Sequence, residues 1–440
     1  MQEFGCDVDL ENGLLKIPPH LVEEAINTAP KKFKLGGMDP DKKLNLGEGR
    51  SYFSTDGQGT LVVDPETGER RESTMKDLAY SAAICDSLDY IDLFWPLVCA
   101  SDVSPETRTL RELVVCYRYT GKHIQTDVFA SREVPHFIKA LEIIQGNTKR
   151  IKADKIFSVV CCSVSPLQYD AEMMEACADL TEFEVPINVL PMPIAGATSP
   201  VSLLSTVLMN NIEVLGALVV FQAFKQGTPV IYGSSSSILD MKTGTFAVGA
   251  PEEGLLNAGC TEMAHYYGLP SLTSGLASDA KEPGIQAALD KLISGITPWL
   301  AGTDILTGAG LMETCQCLYF EQLIIDQEIF ALIKRAGEGI RGGEKFIFSD
   351  LIKEIGAGGH FLSQKSTKEL LRQGEHFIPD LISREPYEMW LKSHRKDPRK
   401  YAQNKVKKML EAPRKEYLEP RVITELDKLM EAAEEELAKT

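Results

Sequence analysis

Of the seven histidines in the chain, His360 has the most suggestive setting. It lies in Gly358-Gly359-His360-Phe361, where small neighbours leave an imidazole free to carry a proton or donate a hydrogen bond. The competing reading is a histidine that merely pins a glycine turn. Lys281, in Asp279-Ala280-Lys281, has the residue type of a Schiff-base amine, against the plainer reading of a solvated loop lysine. Gly233-Ser234-Ser235-Ser236-Ser237 and Thr307-Gly308-Ala309-Gly310 are small enough to let a bulky group approach the backbone, and otherwise read as surface loops. Trp95 and Tyr232 could offer aromatic faces to a cation, or simply fill core. A Ser-His-Asp spacing, a close carboxylate pair and a histidine cluster are all missing, and the nearest approach to a metal motif is Cys315-x-Cys317. Metal binding at that cysteine pair is the minor alternative to reduced thiols, and the expectation is that the chain holds no metal.

The elements that must position such residues follow from hydrophobic pattern. Short apolar runs begin at 93 (LFWPLV), 123 (HIQTDV), 157 (FSVVCC), 187 (INVLPM), 229 (PVIYGS), 270 (PSLTSG) and 304 (DILTGA), at intervals of 30 to 42 residues, with amphipathic stretches of helical period between them. Strands buried on both faces read as continuous apolar runs, and parallel pairing requires a returning helix. The repeat predicts an α/β protein, a (β/α)8 TIM-type barrel with an N-terminal cap and a C-terminal helical extension. The rival, an open doubly wound sheet, would more often show a Gly-rich phosphate turn after its first strand. The eighth strand is assigned to 358–363 (GGHFLS), and a hairpin over 52–71, turned at Pro65-Glu66-Thr67-Gly68, is read as part of the cap. The expected units are 1–72 (lead-in and cap), 73–384 (barrel) and 385–440 (charged helices). In such a barrel the active residues come from the carboxyl ends of strands. That rule selects Trp95, Asp102, Gln125, Asp127, Ser163, Ser165, Met192, Tyr232, Ser234, Ser278, Asp279, Gly308, Gly310 and His360.

The net charge of −17 argues against a nucleic-acid backbone or an anionic membrane as partner. No apolar run approaches the roughly 20 residues of a membrane span, and Glu3, Asp7 and Asp9 stand where a secretory signal would need apolar residues. The ten cysteines fall mostly inside apolar patterns and read as reduced thiols of a cytoplasmic protein.

Several blocks together carry a resemblance. Pro191-Met192-Pro193-Ile194-Ala195-Gly196-Ala197-Thr198-Ser199-Pro200-Val201 precedes a long helix. Gly233-Ser234-Ser235 leads to Asp240-Met241-Lys242-Thr243-Gly244 and Gly249-Ala250-Pro251-Glu252. Ser278-Asp279-Ala280-Lys281, Glu321-Gln322-Leu323 with Asp326, and Gly358-Gly359-His360-Phe361-Leu362 complete the series. Each block is weak alone, but their shared order across about 70% of the chain resembles the trimethylamine methyltransferase family.

That resemblance implies an α/β barrel that moves a methyl group from an amine to the cobalt of a corrinoid carried by a separate protein. Archaeal trimethylamine enzymes of the family carry pyrrolysine at the barrel centre, near the strand corresponding to 270–275. No such residue occurs in this chain, which points to the members that demethylate quaternary amines such as glycine betaine, proline betaine or carnitine. A quaternary nitrogen already bears the charge that makes a neutral amine a competent leaving group, so little acid–base machinery is required. On this reading Trp95, Gln125, Tyr232, His360 and Phe361 form the substrate end, His360 is the catalytic candidate, and Asp102, Asp127 or Asp279 balances the ammonium. Ser163, Gly196, Gly233, Ser234, Ser235, Gly308 and Gly310 would receive the corrin. The cognate corrinoid protein and a small quaternary amine are the expected partners, with a homo-oligomer as the assembly. A Schiff-base lyase using Lys281 and a catalytically silent betaine sensor are the rival functions.

Overall fold

The computed structural model describes residues 1–393 and 397–437. Eight parallel strands close into a barrel: β1 Tyr52–Thr55, β2 Leu93–Phe94, β3 His123–Asp127, β4 Phe157–Cys161, β5 Ile187–Val189, β6 Val230–Ser234, β7 Ser271–Ser274 and β8 Ile305–Ala309. All seven apolar runs are barrel strands. Helices α1 Met75–Asp86, α2 Arg108–Tyr119, α3 Val134–Gln145, α4 Ala171–Thr181, α5 Leu203–Phe224, α6 Pro251–Tyr267, α7 Ile285–Ala301 and α8 Phe320–Gly337 surround it. The fold is the expected (β/α)8 barrel.

The assignment of the eighth strand to 358–363 is corrected by the register. Tyr52–Thr55 pairs with β8 (Ile305 opposite Tyr52, Thr307 opposite Ser54) and with β2 (Ser54 opposite Leu93), and so closes the barrel. Residues 358–363 form no strand; they lie in an exposed loop between the helices Ser349–Ile355 and Lys365–Arg372. Gly358 is left-handed at φ 80°, and Leu362 is 85% exposed. The segment therefore has neither the backbone nor the burial of a barrel strand. The hairpin turned at 65–68 exists but is shorter, Leu61–Val63 against Arg70–Glu72. Another antiparallel pair, Phe33–Leu35 with Leu44–Leu46, sends Leu35, Leu44 and Leu46 against the inner strand residues and plugs the amino-terminal end of the barrel.

Helix α5 has 22 residues and is, by length and composition, apolar enough to cross a membrane, which the short apolar runs did not anticipate. It serves here as the crossover from β5 to β6, with Asn210 and Glu213 buried along it. The charged carboxyl-terminal residues form Pro398–Glu411 and Pro420–Leu437. These lie against the outside of the barrel through buried Ala402, Val406, Leu426, Met430 and Ala433 and through Arg399, which bonds Glu282 and Glu321.

Register and the side-chain period of two fix what faces inward. Leu93, Trp95, Val160, Leu190, Ile231, Leu272 and Ile305 pack together inside, whereas Phe94, Ile124, Phe157, Val159, Tyr232 and Leu306 join the outer core under the helices. Following the paired residues round the barrel sorts the interior into layers contributed by alternate strands. Leu93, Ser158, Ile231 and Ile305 form the lowest; Ser54, Gln125, Asn188 and Leu272 lie above them. Trp95, Val160, Gly233 and Thr307 come next, and Asp56, Asp127, Leu190 and Ser274 form the mouth.

Candidate active site at the barrel mouth

The mouth layer carries acids that water reaches poorly. Burial pushes the Asp127 carboxyl up to about 7, and Glu112, Cys99, Cys162 and Cys177 are titratable groups near enough to feel it. Burial also raises Asp56, against the lowering effect of hydrogen bonds from the Cys315 thiol and the Gly57 N–H. Glu253, at the start of α6 and 1% exposed, accepts a 2.7 Å hydrogen bond from Ser274 Oγ on Oε1, while its Oε2 has no partner. Its carboxyl is driven well up by desolvation, reinforced by Asp56 and Asp279.

Beneath the acids lie groups that hydrogen-bond but have nothing to bond to. Asn188 is fully buried, and neither its Oδ1 nor its Nδ2 has a protein partner. Gln125 takes a 3.4 Å contact from Ser158 Oγ on Oε1, leaving Nε2 free; whichever way the amide faces, one of its edges is unpaired. The Trp95 indole N–H is likewise buried and unpaired. Gly233 is what lets Asn188 lie here: a Cβ on it would stand 2.6 Å from Asn188 Oδ1 and 2.3 Å from the Val189 carbonyl oxygen, so the amide packs directly against a bare backbone.

Strain and a buried ion pair hold this arrangement. Glu313, Thr314 and Cys315 are consecutive left-handed residues at φ 56°, 58° and 64°, a costly conformation for side-chain-bearing residues. Bonds from Glu313 N to Ala280 O and Thr314 N to Ser278 O, both 3.0 Å, fix the turn, as does Thr314 Oγ1 to Asp279 Oδ1 at 2.9 Å. The turn presents the Cys315 thiol to Asp56. Lys291, fully buried in α7, donates to the carbonyls of Leu276 (2.8 Å) and Gly308 (2.9 Å) and pairs with Asp326 Oδ2 at 3.1 Å. It thus ties together the ends of β7 and β8. On the opposite side Glu213 accepts from Ser163 Oγ, from Ser165 Oγ (2.8 Å) and from Leu167 N (2.9 Å), fastening the loop after β4 to α5. Glu213→Ala is expected to lower stability by about 3 kcal/mol and to open residues 163–169 to limited proteolysis. Urea unfolding and cleavage mapping check both.

Among the residues selected from sequence, Trp95, Gln125 and Asp127 converge inside the barrel. Tyr232 does not; its ring points outward, the hydroxyl donates 3.0 Å to Asn211 Oδ1, and the ring stacks on Tyr267. His360 and Phe361 are exposed on the 358–363 loop, so the eighth-strand argument that put them at the carboxyl end of a barrel strand does not hold. Asp102 caps α1 through Met75 N at 2.8 Å, and Asp279 is spent on Val248 N, Gly249 N and Thr314. Lys281 is exposed and donates to the Asp279 carbonyl oxygen, which gives a Schiff-base reading no enclosed pocket.

The glycines and serines assigned to a corrin are mostly committed to packing. A Cβ on Gly308, at φ 139°, would sit 1.8 Å from the Gly275 carbonyl oxygen; Gly310 is walled by Leu97 and Leu323. Ser234 bonds Asn257, and Ser163 bonds Glu213. Only Gly196 and Ser235 of that set are partly exposed. Asn188, Asp56, Glu253 and Cys315 are the residues that sequence reasoning missed. Among the described residues no three His, Cys, Asp or Glu side chains are grouped to hold a metal ion, and all ten cysteines are free.

A closed (β/α)8 barrel whose mouth joins raised carboxyls to unpaired amides is a barrel enzyme with a small polar site at its carboxyl-terminal end. The chain belongs to the trimethylamine methyltransferase (MTTB) family, whose model matches residues 1–438, and is a methyltransferase of that family. The trimethylamine methyltransferase MttB of Desulfitobacterium hafniense is 33% identical over 99% of this chain and 87% of its own. That of Methanosarcina barkeri is 33% identical over 93% and 83%. A glycine betaine methyltransferase of Desulfitobacterium hafniense is 28% identical over 84% of this chain and 78% of its own. The solved hydroxylamine complex of MtmB shares the fold, with a TM-score of 0.53 at 12% identity, covering 92% of this chain and 84% of that one.

Proposed function

We propose that this chain transfers a methyl group from a quaternary amine of the betaine type to the Co(I) of a corrinoid carried by a partner protein. The observation that carries the reading is the mouth layer, where Asp56 and Asp127 stand at inward-facing strand ends and burial raises the carboxyl of each. Such carboxyls gain most from a ligand that brings a permanent positive charge, since a nearby cation favours their ionised form. Descent from the same family as a glycine betaine methyltransferase supports the same substrate class.

The reduced corrinoid supplies the nucleophile that takes the methyl group. This chain's part is to orient the amine so that an N-methyl group faces outward, which can contribute on the order of 7 kcal/mol where the geometry is tight. The rim suits a flat, largely apolar visitor: Phe129, Val164, Leu167, Met192 and Met241, on the loops following β3, β4, β5 and β6, are 40–65% exposed. A second apolar face, with Leu204 and Leu208 on α5, Leu255 on α6 and Leu289 on α7 more than half exposed, supports self-association.

The test is incubation with a reduced corrinoid protein, or free cob(I)alamin, and a panel of glycine betaine, proline betaine, carnitine and trimethylamine. Methylcobalamin is expected spectroscopically with at least one quaternary amine. Binding without methylation by any quaternary amine would turn the chain into a sensor, and methylation from trimethylamine alone would overturn the substrate class.

A further inference from the structure

From the layering of the barrel interior we infer that Asn188, Gln125 and the Trp95 indole N–H grip the acid end of the substrate, so that it binds carboxylate-down with its ammonium at the mouth. The inference rests on the proposed quaternary-amine reading and gives it an orientation and a specificity determinant. Asn188 is fully buried with both amide atoms unpaired, and Gln125 and Trp95, at inward-facing positions of neighbouring strands, each bury an unpaired group. A buried donor without a partner is costly, and a ligand acceptor removes that cost. A trialkylamine or a bare tetraalkylammonium has no acceptor to offer. A quaternary ammonium carboxylate has two oxygens.

Charge decides the direction. Asp127 lies two residues beyond Gln125 on the same inward face of β3, about 6–7 Å nearer the opening. Asp56 occupies the same mouth layer, and Glu253 reaches that layer through Ser274. A substrate carboxylate placed there would meet these acids, whereas an ammonium is attracted by them. One layer of side chains separates the two zones, and in it Gly233 presents only backbone to the Asn188 amide. With the acid end held at the level of Gln125 and Asn188, the methyl groups are left facing the rim.

The experiment compares binding of glycine betaine, proline betaine and carnitine with binding of tetramethylammonium, which has the same kind of head and no acceptor, by calorimetry on the full-length chain. At least one carboxylate ligand is expected to bind ten or more times tighter than tetramethylammonium. Asn188→Leu should remove at least tenfold of that preference while leaving tetramethylammonium affinity unchanged, which also reports an intact mouth. Trp95→Phe, which deletes only the N–H and keeps the ring, should remove part of it. Wild-type protein that binds tetramethylammonium as tightly as all three carboxylates overturns the inference. So does a preference that survives both substitutions; should Asn188→Leu fail to fold, Trp95→Phe and Gln125→Met carry the test. Methyl transfer separates this outcome from the functional reading. Discrimination in binding without transfer to a reduced corrinoid protein keeps the anchor and discards the reaction. Transfer with an undiminished preference in the variants keeps the reaction and discards the anchor.

Discussion

Lys291→Met is expected to destabilise the protein by about 3–5 kcal/mol, the range for removing one partner of a buried ion pair. The lysine is 0% exposed, and its ammonium bonds two strand-end carbonyls as well as Asp326. Methionine preserves most of the apolar stem but leaves Asp326, which is fully buried and already raised by desolvation despite the lysine, facing two carbonyl oxygens. The loss should therefore be greater at pH 8, where Asp326 must ionise or hold a proton at a cost, than at pH 5. Asp326→Asn keeps an oxygen for the Gly310 N–H, now bonded at 2.7 Å, and removes the charge. The double variant should be more stable than the sum of the single losses predicts, by roughly 1–3 kcal/mol. Urea unfolding at both pH values measures the cycle. Additive losses, with no dependence on pH, would show that the pair is not what holds β7 to β8.

Most of the barrel was legible because strands buried on both faces leave an unbroken apolar run, and seven of them stand out. The first strand escaped because Tyr52-Phe53-Ser54-Thr55 is half polar: Ser54 and Thr55 are buried as hydrogen-bonding groups, Thr55 exchanging bonds with Trp95 across the strands. Missing that strand also hid Asp56, which directly follows it. Trp95, Gln125 and Asp127 were found by their position at strand ends. Tyr232 was misplaced by the period of two, since Gly233 faces inward and its neighbour must face out. Asn188 had a readable signal, a lone amide inside Ile187-Asn188-Val189, where a doubly buried strand has no ordinary use for one. Cys315 stood out only as half of Cys315-x-Cys317; its place beside Asp56 had no signal, because three successive left-handed residues arise from tertiary bonds to 278–280 and not from the residue types.

Asp127→Asn is expected to flatten the pH dependence of cation binding and to weaken it most at high pH. Burial raises this carboxyl to about 7, and an ammonium beside it favours the anion, so binding expels a proton wherever the free protein still holds one. Affinity for tetramethylammonium should thus rise about tenfold between pH 6 and 8 and level off above, as follows from a group titrating at 7. Burial drives the Glu253 carboxyl up as well, and Glu253→Gln tells its share of the slope apart. Asp56 faces the same opening, and Asp56→Asn tells its share apart. In the Asp127→Asn variant the slope should fall to the share of Asp56, of Glu253 and of Glu112, which burial also raises to about 7, with affinity at pH 8 about tenfold below wild type.

The kinetic split follows from the chemistry. As the methyl group leaves, the nitrogen loses its charge, so the attraction to Asp127 is stronger in the bound substrate than in the transition state. Deleting it should raise KM while kcat is unchanged or slightly increased, a pattern opposite to that of a proton-transferring residue. A fall in kcat with KM preserved would mean that Asp127 acts on the reacting atoms in some other way. A variant that keeps the wild-type pH slope would move the titrating group away from β3 altogether.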